Sequence, residues 1–354
     1  MGALIPPSDD HGLGEGYHSP QVPAAVRLNA NESPFPPPPG FVESLAAEVS
    51  RVEYHRYPDR GAVGLRRALA DLHGVAPDQV FAANGSNEVL QTLLLAYGGP
   101  TRTAAMFEPT YALHGHISRL TRTGVAAGER NEDFTLDMDE VKRVLADADP
   151  AVTFLCSPNN PTGRAEPQEV VHDVISLAPG LTVVDEAYGQ FAPWSAMGLV
   201  GDDVPLVVVR TYSKTWSMAA TRLGYMVGPG SVVAQLERVA LPYHLDTLKQ
   251  AAGRLALSFR REMEERVAAL VEERGRIAAA LRELPVDTWP SDANFILFRP
   301  RGTDGGAVWE SLLERSVLVR NCASWPRLAG CLRVTVGTPD ENTRFIEALG
   351  EVLA

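Results

Sequence analysis

One lysine stands where an amine could do covalent chemistry. Lys214 follows Leu206 to Val209, an uninterrupted apolar run that reads as a buried parallel strand, and it sits in a polar turn with Thr211 and Ser213 beside it and Arg222 eight residues on. In a partly dry site, desolvation and a neighbouring cation lower the pKa of an ammonium and free the amine to attack a carbonyl. A surface lysine on a strand-to-helix loop has the same local sequence, so the assignment rests on other residues.

Three further stretches end apolar runs in polar groups suited to one task. Asp185-Glu186-Ala187-Tyr188 follows Val183-Val184, and an acid at the tip of a buried strand is costly unless a cation such as a protonated pyridine nitrogen meets it. Cys156 to Gly163, CSPNNPTG, follows Val152–Leu155 as a rigid turn whose asparagine amides are free to bond a ligand oxygen. Gly85-Ser86-Asn87 opens a helix, where free N–H groups and the helix dipole favour a phosphate. Singly, these are an N-cap acid, a turn and a helix start. Together, a phosphate seat, a partner for a ring nitrogen, a donor for a ring hydroxyl and an amine for an aldehyde are the four needs of pyridoxal phosphate.

The elements that must position these groups alternate along the chain. Strands are expected at 80–83, 104–107, 152–155, 181–184 and 206–209, with helices between them near 84–97, 137–145 and from Pro167. This is the pattern of βαβ units and predicts an α/β fold: a mostly parallel sheet flanked by helices, with ligands beyond the carboxyl ends of its strands. Helix is also expected over 41–54, 229–241 and 246–284. A tail with strands at 295–298 and 331–336 and helices around 308–315 and from Asp340 reads as a smaller α+β domain. The expected division is residues 1–44 as an N-terminal arm and part of the small domain, 45–244 as the large cofactor domain, and 245–354 as the C-terminal small domain. Residues 1–40 are rich in Pro and Gly and hold a short strand candidate at Val26-Arg27-Leu28.

Composition narrows the partners. The 354 residues are 45% hydrophobic and 21% charged, as in an ordinary globular protein. Lys+Arg 32 against Asp+Glu 44 gives a net charge of -12, a field that repels nucleic acid and anionic membrane, so an anionic ligand must be captured by local arginines or helix ends. Cys156, Cys322 and Cys331 show neither CxxC nor metal-ligand spacing and read as reduced thiols of a cytoplasmic protein. The start of the chain lacks the regions of a signal peptide, and no apolar run reaches the ~18 residues of a membrane helix.

The set NPTG (160–163), DEAY (185–188), SK (213–214) and R-x-G (222–224) resembles the fold-type-I PLP-dependent aminotransferases. More narrowly, LNANESPF (28–35), RYPD (56–59), GSNE (85–88), CSPNNPTG (156–163), RTYSK (210–214), SDANFIL (291–297) and CLRVTVGT (331–338) resemble the histidinol-phosphate aminotransferases. The resemblance implies that Lys214 is the Schiff-base lysine, Asp185 the pyridinium partner, and Asn160 and Tyr188 the partners of the ring hydroxyl. It implies that Tyr111 stacks on the ring and that Ser86, Asn87, Thr211, Ser213 and Arg222 hold the phosphate. Tyr57 is implied to reach that phosphate from the second subunit of a homodimer.

For the substrates, the resemblance implies that Arg333 grips an α-carboxylate through a bidentate fork and that Arg320 meets a distal phosphate or carboxylate. Tyr17 and Asn31 join them as substrate-binding residues. The implied reaction is a ping-pong transamination between glutamate and the phosphorylated amino alcohol of histidine synthesis. Aromatic amino-acid aminotransferase and phospho-amino-acid decarboxylase activities are the same-fold alternatives, and a PLP-binding module without turnover is the non-enzymatic one. Two positions depart from the pattern: Thr221, where a small or aliphatic residue is usual, and Asp246, whose charge lowers phosphate affinity unless a cation such as Lys249 offsets it.

Overall fold

The computed structural model describes residues 22–354. Its larger sheet has seven strands in the order Val80–Ala83, Gly224–Val227, Leu206–Thr211, Leu181–Asp185, Val152–Cys156, Thr103–Glu108 and Gly124–Glu129. Gly224–Val227 runs antiparallel to both neighbours, and the pairings from Leu206–Thr211 outward to Gly124–Glu129 are parallel. The central strands are buried along their whole length, which is why they read as continuous apolar runs rather than alternating ones. Strands Gly124–Glu129 and Gly224–Val227 and helix Ala112–Leu120 lie outside the expected elements. The edge strand GVAAGE is short on β-branched residues, and GYMV carries a glycine that its neighbours demand.

The smaller sheet has the order Val26–Leu28, Val317–Asn321, Leu332–Thr335, Phe295–Pro300 and Val286–Thr288. Val26–Leu28 adds to its edge in parallel, and the other pairings are antiparallel. Two of the expected helices are shorter or broken. The first ends at Val49, and the stretch 246–284 is divided into Thr247–Ala256 and Arg260–Arg282 by a tight turn at Leu257–Phe259. The expected division near residue 245 falls at the start of Thr247–Ala256, whose Ala252 and Ala256 pack with Phe41, Leu65 and Tyr225 on the side of the larger sheet. Arg260–Arg282 is the joint between the sheets. Its Met263 belongs to that same cluster, whereas Leu270, Ile277 and Leu281 pack against Phe295, Val319 and Phe345 of the smaller one.

Candidate active site

The strands of the larger sheet deliver their polar ends to one cavity of about 390 Å³. Of the fifteen expected site residues, thirteen line this cavity: Ser86, Asn87, Tyr111, Asn160, Asp185, Tyr188, Thr211, Ser213, Lys214, Arg222, Asn31, Arg320 and Arg333.

 Those thirteen leave two of the fifteen expected: Tyr17 lies outside the described residues, and Tyr57 lies away from the cavity, 80% exposed and stacked on Tyr243 with ring centroids 4.6 Å apart.

Lys214 is held at the centre. Its Nζ donates to the carbonyl of Ala30 at 3.0 Å and stands 5.9 Å from the centre of the Tyr188 ring. Burial pulls its pKa down to about 8; Arg333 and, more weakly, Arg222 act in the same direction, and Glu32 opposes them. The dominant neighbouring cation is therefore Arg333, on the smaller sheet, rather than the Arg222 that lies near it in sequence. Asp185 ends its strand fully buried, with Oδ1 accepting from the Ala187 N–H at 3.1 Å and Oδ2 facing His114 Nε2 at 3.1 Å. Burial raises the Tyr188 phenol above its ordinary value, while Arg333 and the hydrogen bond from Asn31 Nδ2 (2.9 Å) pull the other way.

At one end of the cavity the backbone is drawn tight around a polar cradle. Helix Ser86–Tyr97 has no side-chain cap, so its first N–H groups are open. Gly85 stands before it at φ +88, and a Cβ there would meet Arg222 at 3.1 Å; one on Gly224 would meet the Ser86 nitrogen at 2.3 Å. Arg222 Nη1 donates to Ser213 Oγ at 3.3 Å, and Thr211 Oγ1 donates to the same oxygen at 3.0 Å. Tyr111 donates to Asn87 Oδ1 at 3.1 Å. An open helix start, an arginine and three hydroxyl or amide side chains fit a phosphate, and an amine with a lowered pKa lining the same cavity as a buried acid fits an aldehyde-bearing pyridine. The residues present therefore fit pyridoxal phosphate.

The opposite wall carries two cations. Arg320 and Arg333 are direct cross-strand partners on Val317–Asn321 and Leu332–Thr335. Arg333 is bonded to Asn160 Oδ1 and, at 3.0 Å, to the Asn29 carbonyl, and it lies over the Phe295 ring at 5.0 Å. Its Nε is buried with no hydrogen-bond partner among the described residues. Arg320 lies over the Trp325 ring at 5.1 Å. Asn160 thus holds an arginine as well as facing the cavity, and Asn31 is itself fixed by Thr335, whose Oγ1 donates to Asn31 Oδ1 at 3.0 Å.

Sequence reasoning missed His114, Asn29, Phe295 and Trp325. His114 follows Tyr111 by one helical turn, and the ring of each meets the other edge to face, a spacing that would have flagged it. The aromatic rings under the arginines had no comparable signal. Of the two departures, Asp246 caps helix Thr247–Ala256 through the Lys249 N–H at 2.9 Å and pairs with Lys249 Nζ at 2.8 Å, and neither it nor Thr221 lines the cavity. Its charge is satisfied where it stands.

Residues 23–349 match the family model described as aminotransferase class I and II. Among curated relatives, histidinol-phosphate aminotransferase of Frankia casuarinae is 46% identical over 95% of this chain and 87% of its own length. That of Thermobifida fusca is 44% identical over 98% of this chain and 95% of its own. The solved structure of histidinol-phosphate aminotransferase from Sinorhizobium meliloti in complex with pyridoxal-5'-phosphate superposes with a TM-score of 0.88 at 21% identity, covering 99% of both chains.

Proposed function

This chain belongs to the class I and II aminotransferases, and we propose that it moves an amino group between glutamate and histidinol phosphate, with 2-oxoglutarate and imidazole-acetol phosphate as the partner oxo compounds, in histidine synthesis. The observation that carries the substrate reading is the pair of buried arginines that line one cavity with Lys214: a seat for each of two anionic groups. Glutamate carries two carboxylates, and histidinol phosphate carries a terminal phosphate, so one wall serves both halves of the reaction.

Bound pyridoxal phosphate supplies an electron sink conjugated to the substrate nitrogen. Lys214 would hold it covalently, and the Lys214 amine would take the proton from the substrate Cα and return it. Asp185 would keep the ring nitrogen protonated, and Asn160 and Tyr188 would serve the ring hydroxyl. Tyr111 would cover the ring face, while Ser86, Asn87, Thr211, Ser213 and Arg222 would hold the phosphate. Arg333 would take the α-carboxylate and Arg320 the distal anion, and Asn31, bonded to Tyr188, lines the same cavity.

The working form in this reading is a homodimer in the cytoplasm. Tyr57, 80% exposed, stacks on Tyr243, itself 42% exposed, and such an uncovered pair of rings suits a second copy of the chain. The three buried free thiols suit a reducing compartment. The deciding experiment mixes purified holoenzyme with histidinol phosphate and 2-oxoglutarate. Formation of glutamate is the expected result; carbon dioxide release, or faster turnover of phenylalanine, would overturn the substrate assignment.

A further inference from the structure

We propose that Trp325 is a positioning residue for the distal anion seat, its indole face holding the Arg320 guanidinium away from Arg333 so that one substrate can be gripped at two anionic ends. The inference rests on the substrate reading above for the identity of the distal group, but its physical basis is independent of it.

Residues directly opposite on adjacent antiparallel strands present their side chains to the same face, and like charges in that arrangement repel. Arg320 and Arg333 are such a pair, and both line the cavity. Arg333 is fixed by Asn160, by the Asn29 carbonyl and by the Phe295 ring. Arg320 lies over a different ring, that of Trp325, with 5.1 Å between guanidinium carbon and ring centre.

That ring is itself held firmly. The backbone around it winds through successive tight turns, Trp325 N–H to Cys322 O at 3.0 Å and Leu328 N–H to Trp325 O at 3.2 Å. Its side chain packs among Phe134, Leu297 and Leu328. The indole Nε1 is buried without a hydrogen-bond partner among the described residues. Burying an unpaired N–H is unfavourable, so what the position uses is the face of the ring and not its donor. Phenylalanine therefore preserves the function, and an aliphatic side chain of similar bulk does not.

The test uses holoenzyme of wild type, Trp325→Phe, Trp325→Leu and Trp325→Met. Dissociation constants are read from the visible absorbance of the bound cofactor for glutarate, with two carboxylates, and butyrate, with one; KM and kcat are measured for histidinol phosphate. In the leucine and methionine variants glutarate binding weakens about tenfold, butyrate binding is unchanged, and KM for histidinol phosphate rises about tenfold with kcat within about twofold. Trp325→Phe stays within about twofold of wild type throughout. Equal weakening for glutarate and butyrate, no weakening for glutarate, or a phenylalanine variant that behaves like leucine would overturn the proposal. Should one aliphatic variant fail to fold in a thermal melt, the other and the phenylalanine variant still decide. If wild type does not turn over histidinol phosphate, the substrate reading fails alone, and the glutarate and butyrate comparison continues to judge Trp325.

Discussion

His114 Nε2 lies 3.1 Å from Asp185 Oδ2, with both side chains shut away from solvent. A carboxylate only accepts, so the imidazole donates through Nε2, and its Nδ1 is left buried without a hydrogen-bond partner among the described residues. The ring is kept in plane by Phe154, stacked at 4.7 Å and 10°. Asp185 is thus aimed from beneath by a residue 71 positions away in the chain.

Replacing His114 by phenylalanine keeps the stack and deletes the donor. The expected result is a fall in kcat of roughly tenfold to a hundredfold, the worth of a hydrogen bond to a charged group. Asp185→Asn, which removes the buried charge, should lose about a thousandfold. Steady-state kinetics with saturating cofactor decide this, and a His114→Phe enzyme as fast as wild type would remove His114 from the machinery.

The lowered pKa of Lys214 makes two pH predictions for the protein freed of cofactor. Only the neutral amine captures an aldehyde, so the rate of pyridoxal phosphate uptake should rise with pH with a midpoint near 8. The folded state also holds the proton less tightly than the unfolded chain, whose value is the ordinary 10.5, so burying the ammonium is destabilising in full below about 8 and ceases to be so as pH rises toward 10.5. Lys214→Met should therefore melt above wild type at pH 7, with the gap closing in alkali; calorimetry across that range measures it.

Gly224→Ala should damage the phosphate cradle. The added carbon would stand 2.3 Å from the Ser86 nitrogen and 2.5 Å from the Gly85 carbonyl carbon, both backbone atoms that cannot rotate away. A cost of about 1–3 kcal/mol is expected, seen as cofactor lost on desalting. Gly198→Ala, where an added carbon meets nothing within 4 Å, is the matched control and should retain its cofactor.

The two arginines should separate in their effects. Arg333→Ala removes the fork proposed for the α-carboxylate and also leaves Asn160 Oδ1 without that donor, so kcat/KM for glutamate should fall on the order of a hundredfold or more. Arg320→Ala should weaken glutarate much more than butyrate. Binding measured by cofactor absorbance separates the two, and identical profiles would refute the division of labour.

Much of the site was legible in the chain because it is built at strand ends. Leu206 to Val209, Val183-Val184 and Val152 to Leu155 are apolar runs long enough to announce buried strands, and Lys214, Asp185 and Asn160 follow them in sequence, so local pattern alone brings their backbones to one edge of a sheet. The same logic accounts for what was missed at the edges. GVAAGE at 124–129 and GYMV at 224–227 lack the β-branched density of a central strand, and the turn at Leu257–Phe259 that divides the long helix carries no glycine or proline.

By itself the sequence determined which covalent and acid–base groups exist and in what order they are delivered. Tertiary structure alone decided which neighbours tune them: His114 under Asp185, Arg333 rather than Arg222 as the main cation acting on Lys214, and separate aromatic rings beneath Arg320 and Arg333. The physical reason is range. Strand and helix patterns are set by residues a few positions apart, whereas pKa shifts and stacking depend on groups that only the packing of two sheets brings within a few ångströms.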